Sequence, residues 1–274
     1  MDAKFEQFMR ERKYLKSVSQ STLEWYRQTF TRLQIPNPTQ SDLTEFVVKM
    51  RESGLAATSV NNRIRAVNAY LRWLGSPLKL GKLKEPQRVY ALYSEEDIKL
   101  IARWKPQEPR KWARTRAQVL ALTLADTGCR SSELLTLRWA QVDFDNLLLT
   151  VRGKGDKERV IPFSYELRRY LYQWKQKVKH DLVFGTQQGM MVSIRNAHHA
   201  LGHMLDNLGI KHPRRLVHCF RHSFATFYLK RGGSALHLQR VLGHTTLFMT
   251  ARYVSLQTAD LQAVHQRVSM LSGL

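Results

Sequence analysis

Residues 147–163 read LLLTVRGKGDKERVIPF. Two apolar, β-branched runs, LLLTVR and KERVIPF, flank Gly-Lys-Gly-Asp, the composition of a β-hairpin whose glycines make the turn and whose tip carries Lys154. On either side of this stretch the apolar residues recur at helical rather than alternating spacing. The expected fold is therefore mainly α, with a small antiparallel β-sheet confined to an α-rich second domain. Just upstream, RTRAQVLALTLADTG reads as a buried helix stopped by Gly128, and SEEDIKLIARW as a helix capped by Ser94 with acids in its first turn.

Further from the hairpin, the first 75 residues read as an all-helical unit. A helix is expected from Ser21, where Ser-Thr-Leu-Glu has capping-box form and Leu23, Tyr26, Phe30 and Leu33 follow at helical spacing. A second runs from about Ser41 to Gly54 with Leu43, Phe46, Val47 and Met50 on one stripe. A third starts near Thr58 and aligns Val60, Ile64, Val67, Leu71 and Leu74, leaving Asn61, Arg63, Arg65 and Arg72 on its other faces. Residues 76–90, SPLKLGKLKEPQRVY, break the periodicity with prolines, a glycine and basic residues and are expected to be extended. The domains are accordingly placed at 1–80 and 91–274, with a linker over 81–90.

Charge points to the partner. Lys and Arg number 44 against 22 Asp and Glu, a formal +22. Divided at residue 90, both parts carry basic over acidic residues at two to one, so the excess is no tail, and nucleic acid is the expected polyanion ahead of an anionic lipid surface. Two cysteines, Cys129 and Cys219, exclude a disulfide scaffold and fit a reducing compartment. The charged N-terminus and the absence of a long apolar run point to a cytoplasmic protein with no membrane partner.

Four separate segments offer groups suited to phosphate. TGCRSSELL sets Arg130 after a glycine break, with Glu133 three residues on, where it can orient the guanidinium or cap a helix. GKGDKER supplies Lys154 and Lys157. VHCFRHSFATFYL holds His218 and Arg221 at i and i+3, on one helix face, and VLGHTTLFMTARYVSL holds His244 with Tyr253 nine residues later. Two guanidinium forks match a phosphodiester's oxygens and stabilise the added charge of a pentacoordinate transition state.

In order and spacing these blocks resemble the tyrosine recombinases, the phage integrase family: TG-x-R-x-SEL, GKG-x-KER, H-x-x-R-HSFAT, LGH and a tyrosine nine residues on. The likeness spans about 94–256; residues 1–75 resemble the family's helical core-binding domain more loosely. It implies a site-specific recombinase, of the simple Xer-like kind, that cleaves DNA through a 3′-phosphotyrosyl intermediate and exchanges strands through a Holliday junction for integration, excision or resolution, without a cofactor. Tyr253 would be the nucleophile. Arg130 and Arg221 would clamp the phosphate, Lys154 would protonate the leaving 5′-oxygen, His218 would move the tyrosine's proton, His244 would orient the phosphate and Glu133 would stand behind these groups. Because a free phenol titrates near pH about 10, the site must help to ionise it. Arg63, Arg65, Arg72, Lys82 and Lys157 are expected DNA contacts. Phe220 and Cys129 stand where the family has other apolar residues.

The resemblance further implies two domains closed as a C-shaped clamp around duplex DNA, a homotetramer on two DNA sites, and possible accessory proteins. Residues 257–274, with Leu261, Val264, Val268 and Leu271 at helical spacing, would dock on a neighbour or on their own chain. With the core-binding likeness starting almost at residue 1, no further arm-binding domain is expected. A DNA-binding architectural protein of the same fold, and a type IB topoisomerase of related chemistry, are the competing readings. His199 and His203 have the i, i+4 spacing of a zinc pair, but neither an HExxH glutamate nor a cysteine pair accompanies them, and no metal site is expected. His222 is expected to pack the helix that carries Arg221.

Overall fold

The structure, a computed structural model, describes residues 3–33, 38–86, 91–108, 110–153, 158–213 and 216–254. The chain divides into two compact units, Met1–Arg88 and Val89–Leu274. Among the described residues it is mainly helical, with one three-stranded antiparallel sheet, and no helix is long and apolar enough to cross a membrane.

The first unit holds α1 (Ala3–Tyr14), α2 (Gln20–Leu33), α3 (Gln40–Glu52) and α4 (Ala57–Trp73). Helix α4 is central because it is apolar on two sides. Val60, Ile64, Val67 and Leu71 pack with Leu43, Phe46 and Met50 of α3, while Ala66 and Tyr70 join an aromatic cluster with Phe5, Phe8 and Tyr26. Two local expectations change. Helix α2 begins one residue before Ser21, and the hydroxyl of Ser19 meets those of Ser21 and Thr22 at its start, so the expected Ser21–Glu24 capping box is not formed. Asn61, expected on a polar face, is buried: its side chain accepts from the Leu83 N–H and donates to the Leu83 carbonyl (2.8 and 2.9 Å) and to Glu85. Asn68, two turns on, holds Leu80 by the same pair of bonds, both 2.9 Å. Residues 80–85 are thus extended yet pinned along α4, because an asparagine amide presents the same donor and acceptor pair as a neighbouring strand.

The second unit is built around α6 (Lys111–Thr127), buried along Ala117–Leu124, against which α5 (Glu95–Arg103), α8 (Tyr165–Lys175), α9 (Ile194–Asn207) and α10 (Leu216–Lys230) pack. The remaining elements are α7 (Ser131–Leu135), α11 (Ala235–Leu242), α12 (Phe248–Val254), and strands β1 (Val142–Asp143), β2 (Leu148–Arg152) and β3 (Glu158–Pro162). Strands β2 and β3 form the expected hairpin, pairing Leu149 with Ile161 and Arg152 with Glu158, and β1 adds a third strand. Leu149, Val151 and Ile161 point into the core shared with α6 and α10, which fixes the register by burial of one face.

Candidate active site

The site lies where the ends of four helices meet β3. Helix α6 stops at Gly128, which adopts the left-handed conformation (φ +62°), and a Cβ there would collide with the Phe224 ring. The tight turn delivers Arg130 to the start of α7. Glu133 is 3% exposed and accepts both the backbone N–H and the guanidinium of Arg130, each at 2.8 Å, so it caps α7 and orients the arginine at once. A second arginine, Arg159 of β3, donates to both oxygens of the same carboxylate at 2.7 and 2.8 Å. Burial alone would raise the Glu133 pKa, but the bonds from Arg159 and Arg130 outweigh it and hold the carboxyl below its usual range.

Arg221 projects from α10 and is 8% exposed. It donates to the Gly128 and Leu242 carbonyls, both at 2.7 Å. Burial lowers its pKa to about 10, with the neighbouring Arg130 acting in the same direction, which still leaves it charged at neutral pH. Arg159 donates to the Val241 carbonyl (2.9 Å), and Arg130 approaches that of Gly243 (3.4 Å). Three guanidinium groups thus take three successive carbonyls at the C-terminal end of α11, the negative pole of that helix, whose last carbonyls have no partner within it.

This docking decides where the following residues go. Gly243 turns the chain with φ +63°, and His244, buried, pairs its Nδ1 with the hydroxyl of Thr250 at 2.9 Å. Thr250 and Tyr253 belong to α12. The Tyr253 ring is 2% exposed among Ala225, Leu238 and Leu242, and its hydroxyl lies 2.9 Å from Nδ1 of His222. Two arginines, a buried histidine and a tyrosine hydroxyl, supported by one carboxylate, thus surround the end of α11. Such a set can bind a phosphodiester and offer it an oxygen nucleophile.

Residues 92–260 match the model of the phage integrase family, and residues 5–76 match its N-terminal SAM-like domain. The chain belongs to the phage integrase family. This integrase family member is 30% identical over 246 residues to tyrosine recombinase XerC of Lacticaseibacillus casei (strain BL23), covering 81% of this chain and 79% of that protein. It is 28% identical over 271 residues to tyrosine recombinase XerA of Pyrococcus furiosus, covering 95% and 92%. Its fold is similar to that of the Tn1549 transposon integrase solved with transposon right end DNA (TM-score 0.80, 19% identity, 97% and 98% of the two chains) and of the recombinase XerH bound to palindromic difH (TM-score 0.74, 20% identity, 95% and 83%). It is a tyrosine recombinase, an enzyme of site-specific recombination.

The remaining expected residues of this integrase fall in three places. Lys154 and Lys157 lie outside the described residues, as does the segment 257–274. His218 sits in the first turn of α10, exposed, unlike the buried Arg221 one turn later. Arg65 and Arg72 are exposed on α4 and Lys82 is exposed beside Glu85 (3.5 Å), whereas Arg63 is half-buried and donates to Thr29 (3.1 Å). His199 and His203 pack edge to face with ring centres 4.4 Å apart, and no group of three potential metal ligands occurs among the described residues.

Sequence reasoning missed two residues of this site and a contact made by a third. Arg159 had a readable signal: it shares the inward face of β3 with Ile161, where a charged side chain needs a buried partner. Thr250 had none. His222 was expected to pack its helix, yet it bonds the candidate nucleophile, because α12 folds back onto α10.

Proposed function

We propose that Tyr253 is the nucleophile of a DNA cleavage and rejoining reaction. Its hydroxyl oxygen attacks the scissile phosphorus, the bond to the 5′-oxygen breaks, and a 3′-phosphotyrosyl link forms. Arg130 and Arg221 bind the non-bridging oxygens and the charge that grows on them. His218 takes the phenolic proton, Lys154 supplies a proton to the departing 5′-oxygen, and His244 orients the phosphate. A 5′-hydroxyl from the partner duplex then attacks the same phosphorus and frees the tyrosine, so bond energy is conserved and no cofactor takes part. Two such exchanges, through a Holliday junction, recombine the sites.

The observation that supports this reading is the convergence of Arg130, Arg221 and His244 on the α11 terminus that leads directly into the helix of Tyr253. Glu133 acts as the counter-charge that keeps two arginines in place. Arg63, Arg65, Arg72, Lys82 and Lys157 are DNA contacts in this reading, and the assembly is a homotetramer on two sites in the cytoplasm, joined where required by accessory proteins.

The test begins by selecting a preferred site from a random-sequence duplex library and building it as a nicked suicide substrate. The native chain is expected to give a covalent protein–DNA adduct on a denaturing gel, and Tyr253→Phe none. An adduct of unchanged yield with Tyr253→Phe refutes the assignment. For the tetramer, a chain ending at residue 256 is expected to bind DNA as the full chain does and to lose recombination between two sites; undiminished recombination refutes a docking role for 257–274.

A further inference from the structure

We infer that His222 is a positioning residue for the nucleophile, setting where the Tyr253 hydroxyl stands before it attacks. The inference rests on the assignment of Tyr253 and adds to it a residue to which neither the family blocks nor the spacing gave any chemical role.

Three observations carry it. The Nδ1 atom of His222 lies 2.9 Å from the Tyr253 hydroxyl, hydrogen-bond distance, and the two rings meet at a tilt with centres 5.7 Å apart, so the contact runs through the polar atoms and not through stacked faces. Apolar side chains of Ala225, Leu238 and Leu242 pack around the body of Tyr253, while the hydroxyl at its tip meets a polar atom, Nδ1 of His222. His222 is itself held on a rigid element: it follows Arg221, whose guanidinium is locked to the Gly128 and Leu242 carbonyls, and helix α10 packs directly on α12.

The geometry gives the bond a purpose. Helix α12 has seven residues, too short to hold a side chain by its own stability, and it is tied at Thr250 to His244 and at Tyr253 to His222. The first tie locates the helix and the second aims the phenol. Helix α10 thereby presents His218, Arg221 and His222 within two turns, the first and last of these at i and i+4 on one face. A nucleophile must stand within a few tenths of an ångström of its line of attack, and a misplacement of about 1 Å costs about 100-fold in rate.

The inference is tested with the full chain on the selected nicked duplex, by single-turnover adduct formation and by DNA affinity from gel shift. His222→Ala is expected to slow adduct formation by about 100-fold at unchanged affinity. His222→Asn, whose Oδ1 stands near the place of Nδ1 but is not basic, is expected to recover most of that rate. Adduct formation by His222→Ala at the native rate overturns the inference. So does an Asn variant as slow as the Ala variant, which assigns His222 to proton transfer or to the fold alone. Tyr253→Phe run alongside separates the two levels: an adduct there brings down the nucleophile assignment itself, whereas its absence with a fast His222→Ala brings down only the positioning role.

Discussion

At Glu133 one carboxylate answers two arginines and a backbone N–H in a setting nearly closed to water. Taking away its charge leaves the largely enclosed Arg159 guanidinium without its counter-charge, although Arg130 stays partly open to water, so Glu133→Gln is expected to destabilise the second unit by about 2–3 kcal/mol in urea unfolding. The folded carboxyl titrates below its unfolded value of about 4.3, so its contribution is complete above that pH and disappears as the pH falls through the lower, folded value. The difference between native and variant proteins is therefore expected to be constant from neutral pH down to about 5 and to shrink below about 4. A difference that stays constant to the lowest pH would remove Glu133 from the acid transition. Arg159 is the other half of this arrangement, since it joins the carboxylate to α11 and makes the hairpin strand part of the site's foundation.

Among the elements, two short features do more than their length implies. The turn after α6 needs Gly128 for its positive φ and for the space beside Phe224, and its carbonyl holds Arg221. Gly128→Ala is expected to cost about 2–4 kcal/mol from left-handed strain and overpacking together, read as a lower urea midpoint. An unchanged midpoint would mean that the turn relaxes without loss. On α4, Asn61 and Asn68 pin residues 80–85 through paired amide bonds. Asn68→Ala is expected to expose the Leu80 amide to rapid hydrogen exchange while the interior of α4 stays protected, because each such bond contributes only about 1 kcal/mol and the helix has its own core. Unaltered protection at Leu80 would show that Leu80's burial, not the asparagine, holds the segment.

For the molecule as a whole, charge governs behaviour toward DNA. With a formal +22 distributed through both parts of the chain, binding to duplex should be dominated by release of counterions. If about ten phosphates are neutralised, log K is expected to fall with log salt at a slope of about −9, measured by fluorescence anisotropy across a salt series. A slope near zero would contradict broad phosphate contact. The matches to the phage integrase family fall in both units, residues 5–76 and 92–260, and the basic excess is likewise spread over both parts of the chain.

Fold class, the hairpin, the family and the candidate residues Arg130, Glu133, Arg221, His244 and Tyr253 could be named from the amino-acid order, because helical period, a glycine turn and the spacing within each family-like block are local properties. What the order alone could not reveal is long-range. Arg159 lies 26 residues from Glu133, and His222 lies 31 from Tyr253. Asn61 reaches Leu83 only because an extended segment turns back along its helix. Periodicity records which face of an element is buried but not what comes to rest on it. That depends on three arginines closing the end of α11, and through this junction the tertiary structure brings Tyr253 to His222.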